Sequence, residues 1–309
     1  MLKSPNVSVL LSTFNGSAFL SEQLKSVENQ SYKDWHLLVR DDGSRDETPE
    51  ILRQFKDAHP EKVTIIDNCP GNVGPSRSFG LLLGAANASY VMFCDQDDIW
   101  LPDKIELTMG HMTELEAIFG INTPVLVHTD LQLIDEKRSC IAASFWEYGR
   151  FKPDPELNRL LMKNCVTGNT VMINKAMQDS AVPFPDEIAM YDWWLALIAR
   201  LIGKIGYLKK QTIQYRQHGG NAVGAGRWQM RCTLKRPGSR LRSYLAIRSV
   251  QAAMLLERFK GCINDHDREL LDNASHLASS DYFLSRYLML KYRLFTYDSA
   301  KNIFYFLFA

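Results

Sequence analysis

Four short apolar runs, at residues 7–12, 35–40, 63–66 and 90–94, each give way to a polar turn and then to a segment with helical spacing. Leu20, Leu24 and Val27 share one helical face after the first run, and Thr48 and Pro49 suit the N-cap and first turn of a helix reaching about Ala58. A further helix is expected to start near Pro75, and residues 103–116 read as another. Strands that alternate with helices over short connections pack as a parallel sheet covered on both faces. The expected fold class is α/β, and 309 residues suffice for one large core plus an appendage.

The second half is less regular. Residues 125–129 and 166–173 read as strands, 192–201 as an apolar helix that begins at a carboxylate, and 206–214 as a strand entering the polar loop Tyr215-Arg216-Gln217-His218-Gly219-Gly220-Asn221. From residue 229 onward only helical patterns remain, including 241–259 and an aromatic end at 295–308. The formal charge of +1 conceals a division: residues 1–226 carry 22 Lys/Arg against 28 Asp/Glu, whereas 227–309 carry 14 against 7. The excess is densest at Arg227, Arg231, Lys235, Arg236, Arg240, Arg242 and Arg248. Basic residues beside aromatics have the composition of an interfacial anchor, so a membrane surface or a phosphate is a better partner than nucleic acid. A solvated basic helix face, or a homodimer interface, is the plainer alternative. Six cysteines without Cys-x-x-Cys spacing or paired His read as reduced, mostly buried thiols of a cytosolic protein. The apolar run at 7–11 is too short for a signal peptide, and no stretch reaches the roughly 18 apolar residues of a spanning helix.

The fourth run closes on Cys94-Asp95-Gln96-Asp97-Asp98-Ile99-Trp100, with three carboxylates within four residues. A strand ending there points them into the crevice above the carboxyl edge of the sheet, where open α/β proteins bind ligands. Asp95 and Asp97 suit a hard divalent cation, Mg2+ or Mn2+, that keeps waters and takes its other ligands from substrate phosphates. Capping of the next helix, by Asp98 or Asp103, needs one carboxylate and not three. Ser12-Thr13-Phe14-Asn15 and Asp41-Asp42 end two more strands, so an aromatic face and acceptor carboxylates flank one crevice. A pyrimidine base needs a face to stack on and a carboxylate to take its ring N–H. Arg77, on the helix after the third strand, is placed to meet a phosphate. Each also has an ordinary structural use: Asp42 in a turn, Arg77 on a solvated helix face, Phe14 in a core.

Taken in order, Val7-Ser8-Val9-Leu10-Leu11-Ser12-Thr13-Phe14-Asn15, Asp41-Asp42-Gly43-Ser44, Cys94-Asp95-Gln96-Asp97-Asp98 and Thr167-Gly168-Asn169-Thr170 resemble the inverting, GT-A-fold glycosyltransferases of family 2, over about residues 5–225. The bacterial rhamnosyltransferase-like branch is similar through Asp95-Gln96-Asp97-Asp98-Ile99-Trp100-Leu101-Pro102 and the loop from Tyr215 to Asn221. The resemblance implies a GT-A-type, mainly parallel sheet flanked by helices. Its Rossmann-like nucleotide-sugar half would span 1–120 and its acceptor half 121–226, followed by a basic helical appendage at 227–309. It implies that Ser12, Thr13, Phe14, Asn15, Arg77 and Gln96 line the nucleotide-sugar crevice and that Asp42 binds the base. Asp97 is the implied principal metal ligand, Asp95 contacts ribose, sugar or metal, and His218 lies near the diphosphate as a further ligand. Asp192, in Met190-Tyr191-Asp192-Trp193-Trp194, is the implied catalytic base, although the family often has Glu-Asp where this chain has Tyr-Asp. Gly168, Asn169, Trp193 and Trp194 fall on the acceptor side. Adjacent helix positions do not share a face, so at least one tryptophan belongs to the core.

The implied chemistry is a single displacement. An acceptor hydroxyl attacks the anomeric carbon opposite the leaving diphosphate, with inversion, and a carboxylate within hydrogen-bond reach takes its proton. A divalent ion on the diphosphate stabilises the charge that grows there. A dinucleotide-dependent dehydrogenase is excluded by the missing Gly-x-Gly-x-x-Gly after strand 1, and a P-loop kinase by the missing Gly-x-x-x-x-Gly-Lys-Ser/Thr. A sugar nucleotidyltransferase lacks its Gly-rich basic loop here. A non-catalytic membrane scaffold has no need of carboxylates at 95, 97 and 192. The expected activity is transfer of a sugar, first L-rhamnose from dTDP-rhamnose and otherwise a UDP-hexose or UDP-N-acetylhexosamine, to a lipid-linked saccharide. The expected setting is surface polysaccharide synthesis on the cytoplasmic face of a bacterial plasma membrane.

Overall fold

The computed structural model describes residues 7–66, 71–219 and 237–308. Its first part runs β1 (Val7–Thr13), α1 (Ser17–Glu28), β2 (Trp35–Asp41), α2 (Thr48–Ala58), β3 (Val63–Ile65), α3 (Pro75–Ala85) and β4 (Tyr90–Cys94). The four strands pair in parallel in the order β3-β2-β1-β4. Side chains alternate across a strand, which explains why β1 is apolar almost throughout. Val7, Val9 and Leu11 meet Leu20, Leu24 and Val27 of α1, while Leu10 faces Phe79, Leu82 and Leu83 of α3. Thr48 is the first residue of α2 and not its cap. The cap position is Glu47, which makes no side-chain cap bond, and Asp46 just before it accepts from Thr48 N through Oδ1 (3.0 Å) and from Ser17 N through Oδ2 (3.0 Å).

The second part runs β5 (Ile99–Trp100), α4 (Lys104–Phe119), β6 (Val125–Asp135), β7 (Cys140–Ala142), α5 (Phe145–Gly149), α6 (Leu157–Met162), a 3-10 turn (Gly168–Thr170), β8 (Met172–Asn174), α7 (Lys175–Ala181), α8 (Tyr191–Ile202) and β9 (Lys204–Gln217). β8 lies antiparallel between β4 and β6 and joins the halves, β6 pairs in parallel with β9, and β5 closes the far edge against β9. Among the described residues the sheet order is β3-β2-β1-β4-β8-β6-β9-β5, with β7 on β6. The strand expected over 166–173 is corrected: only Met172–Asn174 pairs, because Gly168 and Asn169 turn to serve Asp192 and Asp98. Gly168 is required there, since a Cβ would overlap the Tyr191 hydroxyl.

Among the described residues four helices follow, α9 (Pro237–Phe259), α10 (Asp265–Ser275), α11 (Tyr282–Lys291) and α12 (Ser299–Phe308). Leu245, Leu255, Leu271 and Met289 share one core with α3, α6 and α8, so the appendage packs on the main body, while Val250 is exposed. No described helix is long and apolar enough to cross a membrane. Gly220, Asn221, Arg227, Arg231, Lys235 and Arg236 lie outside the described residues. Arg248 is not a solvated anchor residue: its guanidinium lies on the Tyr244 ring and bonds the Met162 carbonyl. Cys94 and Cys165 are buried free thiols, while Cys140 and Cys262 are exposed.

Candidate active site

The carboxyl ends of β1, β2 and β4 lie side by side, and their loops interlock. Thr13 Oγ1 donates to Asp41 Oδ1 (2.8 Å), and Ser12 shares a hydrogen bond with Ser78 (2.6 Å). Asn15 adopts a left-handed φ of 47°, which asparagine tolerates better than most residues. Its N–H donates to Ser44 Oγ and its Oδ1 accepts from Arg45 N, both at 2.8 Å. Gln96 spends both ends of its amide on the Phe14 backbone, accepting from N (2.8 Å) and donating to O (3.0 Å). Gln96 therefore shapes the crevice instead of offering it polar atoms, Asn15 commits its Oδ1 to the same loops, and between them stands the Phe14 ring, 45% exposed.

Asp42 is also used internally. It is buried and accepts from Arg40 Nη1 (2.6 Å), Val73 N (2.8 Å) and Gly74 N (2.8 Å). A carboxylate offers about four acceptor sites, so these three leave little for a base. Gly74, at φ 80°, gives the turn that brings those N–H groups round. Asp41 is less buried but accepts as many bonds, from Thr13 Oγ1, Ser44 Oγ and Ser44 N, so it differs from Asp42 in exposure and not in free acceptor directions. The Arg77 side chain is 65% exposed and lies 4.0 Å from Asp186. One residue overlooked by pattern reasoning is Arg40, a fully buried arginine in β2 that also bonds Ser78 (2.9 Å) and the Gly71 carbonyl (3.2 Å).

After β4 the three acids have three environments. Asp98 is fully buried, accepting from Arg216 N (3.0 Å) and from the buried Asn169 amide, so Asn169 positions Asp98 and does not face an acceptor. Asp97 Oδ2 meets His218 Nε2 at 2.8 Å. Asp95 is half-buried; burial, then Asp97 and Asp192, push its carboxyl up to about 8. Burial, followed by Asp97 and Asp95, likewise pushes Asp98 well above the carboxylate range. Arg216 holds this cluster. Its Nε donates to the Asp97 carbonyl (2.9 Å), Nη1 to the Glu136 carbonyl (3.1 Å) and Nη2 to Glu22 (2.6 Å), while its guanidinium lies 4.7 Å over Phe19, the ring that also contacts His218. Among the described residues no three His, Cys, Asp or Glu side chains converge into a complete metal cage. The donor set still fits Mg2+ or Mn2+ shared with a substrate, because such ions take one or two protein ligands and fill the rest with phosphate and water oxygens.

Asp192 lies in the first turn of α8, where the helix dipole favours an anion. Its Oδ2 accepts from Gly168 N (3.1 Å), and its Oδ1 from Asn164 Nδ2 (3.1 Å) and Trp193 N (2.6 Å). Burial outweighs these bonds and raises the carboxyl to about 7. A group so poised exchanges a proton near neutral pH. Asn164 was not signalled by any motif. Trp193 and Trp194, expected on the acceptor side, are both buried, as α8 is from Tyr191 to Ala199. Their N–H groups bond the Leu160 (2.7 Å) and Ala181 (3.5 Å) carbonyls, and Arg248 lies over the Trp193 ring.

Comparison with known proteins bears on the family and the fold. The family profile described as Glycosyl transferase family 2 matches residues 8–179. The chain is 28% identical over 224 residues to the dTDP-rhamnosyl transferase RfbG of Shigella flexneri, covering 70% of this chain and 74% of the relative. Among solved structures, S. aureus TarS 1-349 in complex with UDP-GlcNAc is similar with a TM-score of 0.59 at 14% identity, over 93% of this chain and 80% of that one. The mannosyltransferase PcManGT of Pyrobaculum calidifontis, in complex with GDP-Man and Mn2+, is similar with a TM-score of 0.56 at 15% identity, over 94% and 74%. The architecture is the GT-A type of these transferases.

Proposed function

The chain belongs to glycosyl transferase family 2, and from that premise we propose an inverting, metal-dependent transfer of a sugar from a nucleoside diphosphate to a hydroxyl of a lipid-linked saccharide. The observation that carries the reading is Asp192, a buried carboxyl near neutrality, held by Gly168, Asn164 and Trp193 and close enough to Asp95 to raise its pKa. Asp192 would take the acceptor proton as the hydroxyl attacks. Phe14 would stack on the base, and Asp41 or the remaining acceptor direction of Asp42 would receive its N–H. Asp97 and His218, with Asp95, would hold Mg2+ or Mn2+, which when bound supplies charge stabilisation to the leaving diphosphate. Arg77, exposed beside Asp186, would meet a phosphate. Gly168 would border the acceptor side through its bond to Asp192.

The proposed donor is dTDP-L-rhamnose, on the likeness to RfbG. A UDP-hexose or UDP-N-acetylhexosamine is the second reading, favoured by the fold shared with TarS and its UDP-GlcNAc complex. Residues 1–120 would form the nucleotide-sugar half, 121–226 the acceptor half and 227–309 an appendage that holds the enzyme on the inner face of a bacterial plasma membrane or pairs it as a homodimer. The test is nucleotide release from dTDP-rhamnose, UDP-glucose and UDP-GlcNAc in the presence of bacterial lipid extract, with Mn2+ and with chelator. Chelator-sensitive release from one donor, dependent on the extract, supports the proposal. Release from none of them by folded protein refutes it.

A further inference from the structure

The segment that leads up to the base carries an excess of cations. Residues 150–164 hold Arg150, Lys152, Arg159 and Lys163 against Asp154 and Glu156, and Asp154 is already paired with Arg200 at 3.0 Å. Three of the cations gather at two aromatic rings. Lys152 Nζ and the Arg159 guanidinium lie 5.0 and 5.5 Å from the centroid of Tyr297, and Lys163 Nζ lies 4.0 Å from that of Phe151, the chain neighbour of Lys152. Lys152 is exposed, and Tyr297 is 37% exposed, so solvent reaches the cluster.

The rings are fixed by other contacts. Arg159 Nη1 donates to the Phe295 and Thr296 carbonyls (2.9 and 3.1 Å) and Asn158 Nδ2 to that of Tyr292 (3.0 Å), which sets the strand of chain bearing Tyr297 against α6. Phe151 lies so close on Gly149 that a Cβ there would overlap its ring. The cluster also adjoins the base. α6 ends at Met162, Lys163 follows, and the next residue, Asn164, bonds Asp192 Oδ1 (3.1 Å). Burial pushes the thiol of Cys165 up to about 12, with the charge of Lys163 opposing the rise and that of Asp192 adding to it, so one buried atom lies in the fields of both.

Like charges held together repel, and an anion that enters among them relieves the repulsion while it accepts charge-assisted hydrogen bonds. The crevice above β4 offers acids, which suit a diphosphate only through a divalent ion. The cluster beside α6 offers cations directly, so it suits a second diphosphate that needs no metal. We propose that Lys152, Arg159 and Lys163 hold the diphosphate of the acceptor's lipid carrier beside Asp192, a role that rests on the lipid-linked acceptor proposed for this base. Phe151 and Tyr297 support the cations from below.

The test is calorimetry of the full-length protein with farnesyl diphosphate, inorganic pyrophosphate and farnesol, all in the presence of chelator. Wild type is expected to bind both diphosphates and not the alcohol. The combined variant Lys152→Gln, Lys163→Gln should bind farnesyl diphosphate at least about tenfold more weakly, and so should Lys152→Glu alone, a change at an exposed side chain that leaves the fold intact. Asp97→Asn should leave this binding unchanged. Equal affinity of the lysine variants and wild type, or no binding of farnesyl diphosphate by wild type, overturns the proposal. So does farnesol binding as tight as that of its diphosphate, or a loss caused by Asp97→Asn and not by the lysine variants, which would put the diphosphate in the donor crevice. Nucleotide binding with Mn2+ is measured on the same samples. Diphosphate binding governed by the lysines in a protein that binds no nucleotide would instead refute the transferase reading and leave the anion site standing.

Discussion

Replacing Asp192 by Asn separates chemistry from binding and from stability, and each effect follows from the contacts around it. The carboxamide cannot take the acceptor proton, so kcat should fall by about 10²–10⁴-fold, the usual contribution of a general base. Donor affinity should hardly change, because Asp192 meets Gly168, Asn164 and Trp193 and none of the metal-side residues by hydrogen bond. Stability moves the other way. The carboxyl titrates at about 7 in the fold against an ordinary 3.8, and at about 1.4 kcal/mol per pH unit its ionisation costs the folded state on the order of 4 kcal/mol. The amide recovers that cost but faces the Gly168 N–H with one acceptor fewer, a loss of about 1–3 kcal/mol. The sign follows from the raised pKa: the wild-type carboxyl contributes its full stability below pH 4 and loses it as pH rises through 7. The variant should therefore be no more stable than wild type at pH 4 and about 1–3 kcal/mol more stable at pH 8. Single-turnover kinetics, calorimetry with nucleotide and denaturant unfolding at the two pH values measure the three effects. Activity within tenfold of wild type, or a parallel loss of nucleotide binding, would refute the assignment of Asp192 as base.

Further outcomes follow from the same geometry. The rate of transfer should rise with pH to a plateau, with its acid limb at about 7 or somewhat lower once a cation lies near Asp95, and a rate that declines from pH 6 to 8 contradicts a carboxylate base. Arg216→Met removes three side-chain hydrogen bonds around Asp97, Glu136 and Glu22. It should cost about 3 kcal/mol in denaturant unfolding and weaken Mn2+-dependent nucleotide binding, with no rescue by Arg216→Lys, which lacks the planar fork. Gln96→Ala frees the Phe14 backbone and should raise the donor KM while changing kcat little; an unchanged KM would mean the loop holds without it.

Which parts of this architecture were legible in the chain depends on the range of the forces involved. Period-two and helical spacing reflect local packing, so β1, β2, β4, α1 and α4 fall close to where the apolar residues place them. The stretch 166–173 misled because its apolar ends flank Gly168 and Asn169, whose bonds go to residues 24 and 71 positions away. The Asp cluster was conspicuous because several acids stand at one element's end, whereas Asp192, a single acid at a helix start, was singled out through the family resemblance. The consumption of Gln96, Asn169 and most of Asp42 by neighbouring backbone and side chains was not readable, since polar residues that line a crevice and polar residues that build it look alike in one dimension. Arg216 is the clearest case: it stood in a motif, but its task joins Glu22, Asp97 and Glu136, up to 194 positions apart. Trp193 and Trp194 are aromatic for the core, which adjacency to Asp192 concealed.

The central claim is that the crevice between Phe14, Asp41 and the Asp95 to Asp97 turn binds a nucleoside diphosphate together with a divalent ion. Calorimetry of the full-length protein with UDP, dTDP, GDP and CDP, each with and without Mn2+, tests it most directly. The account predicts that one pyrimidine diphosphate binds and that Mn2+ tightens it, with dTDP expected first. Absence of binding by all four to folded protein, or binding that Mn2+ leaves unchanged, would contradict it.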